Sequence, residues 1–120
     1  MVKIAVASSD GRVVNQHFGR ADSFLILEVN EDDYSYKTLE IRETPPICHG
    51  ADHNDDLLEI RAKELSDCQI VLVSRIGQRA LNALNSAGIE AYESPGFIDE
   101  EVVRILKFIK VQKLLIESFE

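Results

Sequence analysis

The chain contains few cysteines, few prolines and no long hydrophobic run. No apolar segment is long enough to span a bilayer, and the first residues lack the ordered basic, apolar and cleavage regions of a signal peptide. We therefore expect a cytoplasmic protein, and a length of 120 residues predicts one domain over residues 1–120. In that compartment Cys48 and Cys68 are not expected to form a structural disulfide, and their separation fits no zinc-finger spacing.

Basic residues are also scarce. The chain has 21 acidic and 13 basic residues, which gives a formal net charge of −8. This balance opposes nonspecific attraction to nucleic acid or to an anionic membrane surface, so we expect neither as a partner. It does not prevent a local site for a small anion, which would need arginines in one place. The candidates for such a site are Arg12, Arg20, Arg75 and Arg79.

The spacing of apolar residues predicts an α/β fold. Strand-like apolar runs occupy residues 2–7, 24–29, 34–42, 68–73 and 89–92. The second and third should form an antiparallel hairpin, because the turn between them is too short for a parallel crossover. Amphipathic patterns predict helices that begin near residue 54 or 55, cover 78–86, and run from a cap at Asp99 almost to the end. The order β-β-β-α-β-α-β-α predicts a mixed sheet of about five strands with helices packed on its faces.

The apolar residues at the end of the last predicted helix allow two kinds of packing. Its final half contains Phe108, Leu114, Leu115 and Ile116. We expect these side chains to pack inside the domain, since an amphipathic helix normally buries its apolar face. Dimerisation through the same residues is the alternative, so the chain is expected to be a monomer or a weak homodimer.

Residues 15–21, with the sequence NQHFGRA, form the most informative segment and lie between two predicted strands. His17 can ligate a metal or move a proton near neutral pH. Gly19 lets the backbone approach a bulky ligand, and Arg20 can neutralise an anionic one. The alternative interpretation is a polar loop in which Phe18 fills a space in the core.

A second candidate is the irregular segment 43–54, which contains two prolines and the dipeptide Cys48-His49. Thiolate sulfur and imidazole nitrogen are both good ligands for iron, zinc or copper. The segment does not supply four ligands at the spacing of a closed zinc site, so a shared or labile site fits better. A loop with an incidental cysteine is the alternative. Cys68 precedes a buried strand and is expected to act as a small structural hydrophobe.

Residues 74–77, with the sequence SRIG, follow the predicted central strand and open a helix. Ligands of open α/β sheets bind at that edge, and helix N-termini attract anions. Backbone N–H groups near Gly77, together with Arg75 or Arg79, could therefore hold an anionic ligand. An ordinary turn with a solvated arginine is the alternative. Nucleotide binding is poorly supported, because no Walker or dinucleotide-binding glycine pattern is present.

These segments together resemble the dinitrogenase iron–molybdenum cofactor-binding domain family. The resemblance is carried by residues 4–11 (IAVASSDG), 14–21 (VNQHFGRA), the cysteine loop 46–50, the turn 74–77 and the stretch 87–92. This domain occurs in NifX, in NifY and in the C-terminal part of many NifB proteins. The resemblance implies a ribonuclease H-like fold that binds or carries an iron–sulfur-based cofactor, such as the iron–molybdenum cofactor or its precursor, without catalysing a reaction.

The resemblance also implies roles for particular residues. By position, His17 would contact the cofactor and Cys48 matches the loop cysteine, with His49 as an addition. Anion complementarity from Arg20 and Arg75 is our own inference. A cofactor-assembly or acceptor protein is an expected partner. The predicted cofactor-binding set is His17, Phe18, Gly19, Arg20, Arg75 and Gly77, and the predicted metal ligands are His17, Cys48 and His49.

Two further hypotheses belong to other functional classes. A metal-dependent nuclease on a ribonuclease H-like scaffold would need carboxylates that converge at the strand ends, and Asp10 and Glu28 are the nominees. The acidity of the chain weighs against a nuclease. A protein–protein adaptor with a degenerate cofactor site would instead present an exposed apolar patch.

Overall fold

The computed structural model describes residues 1–44 and 55–118, including all of their side chains except those of residues 55, 56 and 118. Within these ranges the chain forms seven strands, three α-helices and one short 3-10 helix, Phe18–Arg20. In chain order the elements are β1 (Val2–Ala7), β2 (Val13–Val14), β3 (Ser23–Val29), β4 (Tyr36–Glu43), α1 (Asp55–Glu64), β5 (Ile70–Val73), α2 (Gln78–Ser86), β6 (Glu90–Glu93), β7 (Gly96–Phe97) and α3 (Ile98–Ser118).

Five of the strands form one mixed sheet in the order β4-β3-β1-β5-β6. β3 and β4 form the predicted antiparallel hairpin, and β1 runs antiparallel to β3 with Val2 opposite Val29 and Ala7 opposite Phe24. β5 is parallel to β1 and to β6. The carboxyl ends of β1, β5 and β6 therefore meet at one edge of the sheet, which we call the carboxyl edge. The α/β prediction, with a mixed five-stranded sheet, is confirmed.

The helices cover both faces of this sheet. One core cluster joins α1 and α2 to the sheet through residues such as Leu58, Leu65 and Leu84. The other joins α3 to the opposite face through Val102 and Ile105. Helix α2 has the bounds that the apolar spacing predicts, and Gly88 ends it with φ of +80°. None of the helices in the described ranges is both long and apolar enough to cross a membrane.

The final half of α3 differs from the sequence prediction. Five of its apolar side chains are 46–64% exposed: Phe108, Val111, Leu114, Leu115 and Ile116. Ile109 packs against a core cluster, and the exposed Phe108 ring still contacts Tyr92 edge-on. The reason for the exposure is length, because a helix of 21 residues spans about 32 Å and extends past strands of four to eight residues. The expectation of internal packing is therefore wrong for Leu114, Leu115 and Ile116.

Two smaller differences concern local boundaries. The two-residue strands β2 and β7 pair antiparallel, with Val13 opposite Phe97, and a pattern of two residues gives no periodic signal in the sequence. Helix α3 begins at Ile98, so Asp99 lies inside the first turn instead of capping it. There Asp99 accepts a hydrogen bond from the Tyr36 hydroxyl, which ties α3 to the edge strand β4.

Candidate functional site

The loop that follows β1 is shaped by Asp10. Its Oδ1 accepts hydrogen bonds from the backbone N–H groups of Arg12 at 2.8 Å and Val13 at 3.0 Å. These bonds hold the pKa of the Asp10 carboxyl below its ordinary value. The Ser8 hydroxyl accepts a further bond from the N–H of Gly11, whose φ of +75° allows the tight turn. Asp10 therefore has a structural role in turning the chain back toward the sheet.

The returning chain crosses the carboxyl end of β1. The N–H groups of Asn15 and Gln16 both donate to the carbonyl of Ala7, at 3.2 and 3.3 Å. The Asn15 side chain fixes this crossing, because its amide donates to the Ser9 hydroxyl and its carbonyl accepts the Ser9 N–H. The segment NQHFGRA is thus held at the carboxyl edge by its first two residues.

His17 and Arg75 meet at this edge in an isolated parallel β-bridge. The N–H of Phe18 donates to the carbonyl of Arg75 at 2.9 Å, and the N–H of Ser74 donates to the carbonyl of Gln16 at 3.0 Å. Bridge partners lie about 4.8 Å apart, and the side chains of His17 and Arg75 are both exposed. The structure therefore brings together two segments that the sequence identifies separately.

Phe18 is the exception among the predicted binding residues of this loop. Its side chain is 1% exposed, and its ring lies 5.9 Å from the ring of Phe24 at an interplanar angle of 59°. The phenyl group anchors the loop in the core. Phe18 therefore fills the core, as in the alternative interpretation of this loop, and does not contact a ligand through its side chain. Arg20 remains exposed and Gly19 is half-buried in the 3-10 turn, whose Arg20 N–H bonds to the carbonyl of His17 at 3.1 Å.

Gly77 lies beside the same edge, immediately before α2. Its carbonyl accepts the N–H of Leu81 at 3.0 Å, and a Cβ added at this position would meet no atom within 4 Å. No acidic residue lies in the first turn of α2. The N–H groups of that turn have no intrahelical partner and carry the positive end of the helix dipole. An anion can approach the backbone here.

Two buried polar atoms flank the bridge without a hydrogen-bond partner in the described part of the chain: Gln16 Oε1 and Ser74 Oγ. Leaving such an atom unpaired costs about 1–3 kcal/mol, so we expect water or a ligand to satisfy both atoms. Gln16 also donates from Nε2 to Asp22, which borders a cavity of about 580 Å³. That cavity is lined by Ser9, Asp22, Ser23, Glu43 and Thr44. Neither unpaired atom was among the predicted site residues.

The remaining predicted residues lie elsewhere. Cys48 and His49 are outside the described residues. Arg12 is exposed on the loop after β1, and Arg79 lines a groove of about 600 Å³ between α1 and α2. In residues 1–44 and 55–118, no three His, Cys, Asp or Glu side chains are placed to hold a metal ion together.

The two carboxylates nominated for a nuclease lie at opposite ends of the sheet. Glu28 is opposite Lys3 near the start of β1, and its carboxylate lies 3.6 Å from the amine of Lys37. Asp10 follows the other end of β1, which puts at least four strand residues, or about 13 Å, between them. They cannot share a metal ion, so this form of the nuclease hypothesis is wrong.

Sequence reasoning also missed a buried arginine. Arg61 in α1 is 3% exposed, and its Nε lies 3.3 Å from the carboxylate of Glu64. Burial lowers the pKa of its guanidinium from the ordinary value. Its spacing from Leu58 and Leu65, three residues before and four after, places it on the buried face of the helix. This spacing could have indicated from the sequence that Arg61 is buried.

Cys68 behaves as predicted. Cys68 is a free thiol that is 2% exposed, and it belongs to the core cluster under α1 and α2. Burial raises the pKa of this thiol to about 12. It therefore stays protonated near neutral pH and is a poor candidate for a metal ligand.

Comparison with known proteins matches this chain to a family. The family model described as dinitrogenase iron-molybdenum cofactor covers residues 1–107, which include His17, Arg75 and Gly77. The chain belongs to this family. It is 34% identical over 115 residues to the FeMo cofactor biosynthesis protein NifB of Chlorobaculum tepidum, a match that covers 96% of this chain and 26% of that protein. It is 33% identical over 91 residues to protein NifX of Azotobacter vinelandii, covering 75% of this chain and 54% of NifX.

The match covers only part of each of these two relatives. The chain spans about a quarter of the NifB protein and about half of NifX. Among solved structures, the crystal structure of PH0822 superposes with a TM-score of 0.62 at 26% identity, over 88% of each chain. A protein from Methanocaldococcus jannaschii superposes with a TM-score of 0.57 at 16% identity, again over 88% of each chain, and at that identity shows the fold alone.

Proposed function

We propose that the protein binds an iron–sulfur-based metallocofactor, of the iron–molybdenum cofactor or precursor kind, and carries it without catalysing a reaction. Membership of the family supports this class of cargo. The observation that carries the proposal is the His17–Arg75 bridge, because this backbone pairing places two residues with exposed side chains, an imidazole and a guanidinium, next to each other at the carboxyl edge. An iron site can accept the imidazole nitrogen, while the guanidinium compensates negative charge on the cargo.

The charges around the bridge support the same proposal. The chain has a net charge of −8, yet this edge presents His17, Arg20, Arg75 and the N-terminus of α2. Such a set fits a preassembled anionic cluster, since the cluster brings its own sulfide ligands and needs few from the protein. Cys48 and His49 remain proposed as additional ligands. Gly19 and Gly77 would allow close approach of the backbone, and Phe18 would hold the loop in place.

The proposal also includes the fold family, the location, the oligomeric state and the partner of the protein. We infer a ribonuclease H-like domain over residues 1–120, supported by the sheet order in which the second long strand, β3, is antiparallel to its neighbours. We also propose that the protein works in the cytoplasm as a monomer or weak homodimer. A carrier must receive and release its cargo, so a cofactor-assembly or acceptor protein is the proposed partner.

Anaerobic binding of isolated iron–molybdenum cofactor tests the proposal. The wild type, His17→Gln, Arg75→Gln and Lys113→Gln are each mixed with the cofactor and separated from excess by gel filtration. Iron and molybdenum per chain and the visible absorption spectrum are then measured. Lys113→Gln is the charge-matched control, since Lys113 is exposed far along α3. We expect the wild type and Lys113→Gln to retain cofactor, and the other two variants to lose most of it.

The same preparation tests the non-catalytic role. Released cofactor should have an unchanged iron-to-molybdenum ratio and an unchanged spectrum, because a carrier returns what it received. Equal retention by the wild type and His17→Gln would overturn the role of His17. No retention by any of the four proteins would overturn the finished iron–molybdenum cofactor as the cargo.

A further inference from the structure

Glu101 is a carboxylate buried between the first turns of α3 and the end of β6. It is 7% exposed, and its Oε1 accepts a hydrogen bond at 2.8 Å from the hydroxyl of Ser94, which is fully buried just after β6. Arg104, whose side chain is 64% exposed, also donates to this carboxylate from the next turn of α3. Burying a carboxylate is costly unless donors compensate it, and the hydroxyl and the guanidinium together do so.

The chain between Ser94 and Glu101 is shaped around this carboxylate. Gly96 has φ of +145°, a conformation that favours glycine. A Cβ added at Gly96 would lie 3.3 Å from both Cγ and Cδ of Glu101. The short strand β7, which begins at Gly96, therefore lies directly against the Glu101 side chain.

β7 in turn holds the segment that carries His17. It pairs antiparallel with β2, and the N–H of Ile98, which follows β7, donates to the carbonyl of Arg12 at 2.9 Å. β2 ends at Val14, and the segment NQHFGRA follows it without a break. The position of β7 therefore determines where this segment reaches the carboxyl edge.

Ser94 is bonded to the segment that carries the other bridge residue. Its backbone N–H donates to the carbonyl of Val73, the last residue of β5, at 2.8 Å. Arg75 follows Val73 by two positions. The Ser94–Glu101 hydrogen bond thus lies between two segments of the chain, each of which leads to one residue of the bridge.

We propose that Glu101 is a positioning residue for the His17–Arg75 bridge and acts through Ser94 and β7. Packed interiors transmit small shifts, so a carboxylate that holds Ser94 and β7 in place restricts both bridge segments at once. Where it concerns cargo, this inference rests on the proposed function; where it concerns the stability of the bridge, it does not.

Two control variants separate this role from general effects. Asp99 is also an acidic residue in the first turn of α3, but it accepts the Tyr36 hydroxyl of β4, at the opposite edge of the main sheet from β6. Asp99→Asn therefore removes a charge from the same helix turn without touching Ser94 or β7. Val29 is fully buried opposite Val2, at the start of β1, so Val29→Ala lowers stability far from the carboxyl edge.

The direct readout is amide hydrogen exchange of the cargo-free protein, measured by NMR. The N–H groups of Phe18 and Ser74 form the two hydrogen bonds across the bridge, so their exchange reports its opening. The amides of β3, a strand paired on both sides in the main sheet, report global unfolding. The ratio of the bridge rates to the β3 rates separates local opening from a general loss of stability.

Glu101→Met and Ser94→Ala should each raise this ratio about tenfold, the factor expected for one lost hydrogen bond to a charged group. Glu101→Gln should raise it less, because the amide oxygen still accepts the Ser94 hydroxyl. Asp99→Asn and Val29→Ala should not raise it. An unchanged ratio in Glu101→Met or in Ser94→Ala, or an equal rise in either control, would overturn the inference.

The second readout is binding of isolated iron–molybdenum cofactor. Because small displacements of a binding group weaken binding strongly, Glu101→Met and Ser94→Ala should bind about tenfold more weakly than the wild type. Asp99→Asn should bind as the wild type does. Equal binding by Glu101→Met and the wild type would overturn the part of the inference that concerns cargo. If the wild type binds no cofactor, the proposed cargo fails, and amide exchange still decides the role of Glu101.

Discussion

Arg42 and Asp67 form a two-point ion pair that ties the edge strand β4 to the segment between α1 and β5. Arg42 Nη1 donates to Asp67 Oδ1 at 2.8 Å, and Nη2 donates to Oδ2 at 2.6 Å. The pair holds the pKa of the Asp67 carboxyl well below its usual value and raises the pKa of the guanidinium. It therefore links the stability of the fold to pH.

The first prediction concerns Asp67→Asn. The folded pKa lies below the unfolded value of about 3.9, so the stabilisation is complete above that value and disappears as pH falls through the folded pKa. Because the Asp67 side chain is 40% exposed, solvent screening limits the loss at pH 7 to about 1 kcal/mol. Urea unfolding between pH 7 and pH 2.5 should show the two proteins converging below about pH 4. A difference that does not depend on pH would contradict the ion pair.

The second prediction compares two phenylalanines. Phe18→Ala removes a ring that is 1% exposed and should lower the free energy of unfolding by about 3–5 kcal/mol. Phe97→Ala removes a ring that is 60% exposed and should change it by about 0.5 kcal/mol. Chemical denaturation of both variants measures the difference. Similar losses in the two variants would mean that Phe18 is not the anchor of the loop.

The third prediction concerns the reactivity of Cys68. Its pKa of about 12 and its burial keep the thiol protonated and inaccessible at pH 8. In a Cys48→Ser background, Ellman's reagent should therefore modify almost no thiol in the folded protein. Adding urea above the unfolding midpoint should release one reactive thiol per chain. Rapid modification without urea would show that Cys68 is open to solvent.

The fourth prediction uses two glycines. Gly88 has φ of +80°, so Gly88→Ala should lower the free energy of unfolding by about 1–2 kcal/mol. Gly77 is the N-cap of α2 with φ of −77° and open space at its Cβ position, so Gly77→Ala should lower the free energy of unfolding by only about 0.5 kcal/mol, because alanine is a poorer N-cap than glycine. Thermal unfolding gives both values.

A substitution at Gly77 also tests whether the proposed cofactor contacts the backbone before α2. If the cofactor contacts the backbone before α2, Gly77→Val should retain less cofactor than the wild type while unfolding at nearly the same temperature. Unchanged retention would place the cargo away from this helix N-terminus. Gly88→Ala is the control, since Gly88 lies at the other end of α2.

The five strands of the main sheet and the three α-helices were predictable because their apolar residues repeat with a clear period. Helix α2 has its predicted bounds, and β1 is the predicted run Val2–Ala7. The packing of Leu114 and Ile116 was not predictable, since their helical spacing is the same whether or not a sheet lies beneath them. The spacing of apolar residues shows which side chains share a face of a helix, but it does not show which element packs against that face.

The candidate site was predictable in its parts and not in its assembly. The chemistry of His17 and of Arg75 could be recognised in two separate segments. Their bridge depends on which strands are neighbours and on where each strand ends, and a linear pattern contains neither fact. The burial of Arg61 was hidden for a related reason, because a charged residue on an apolar face is normally assumed to reach solvent.

The sheet order also determines when this site can exist. The hairpin of β3 and β4 contains only local contacts, whereas β1 gains its second neighbour only when β5 pairs with it. During synthesis, residues 15–21 emerge long before Ser74 and Arg75, and the N–H of Phe18 has no bridge partner until then. Pairing over such a sequence separation is slow to form. A nascent or half-folded chain therefore has no assembled bridge. If the protein carries a cluster as we propose, acquisition of that cargo would mark the completion of folding.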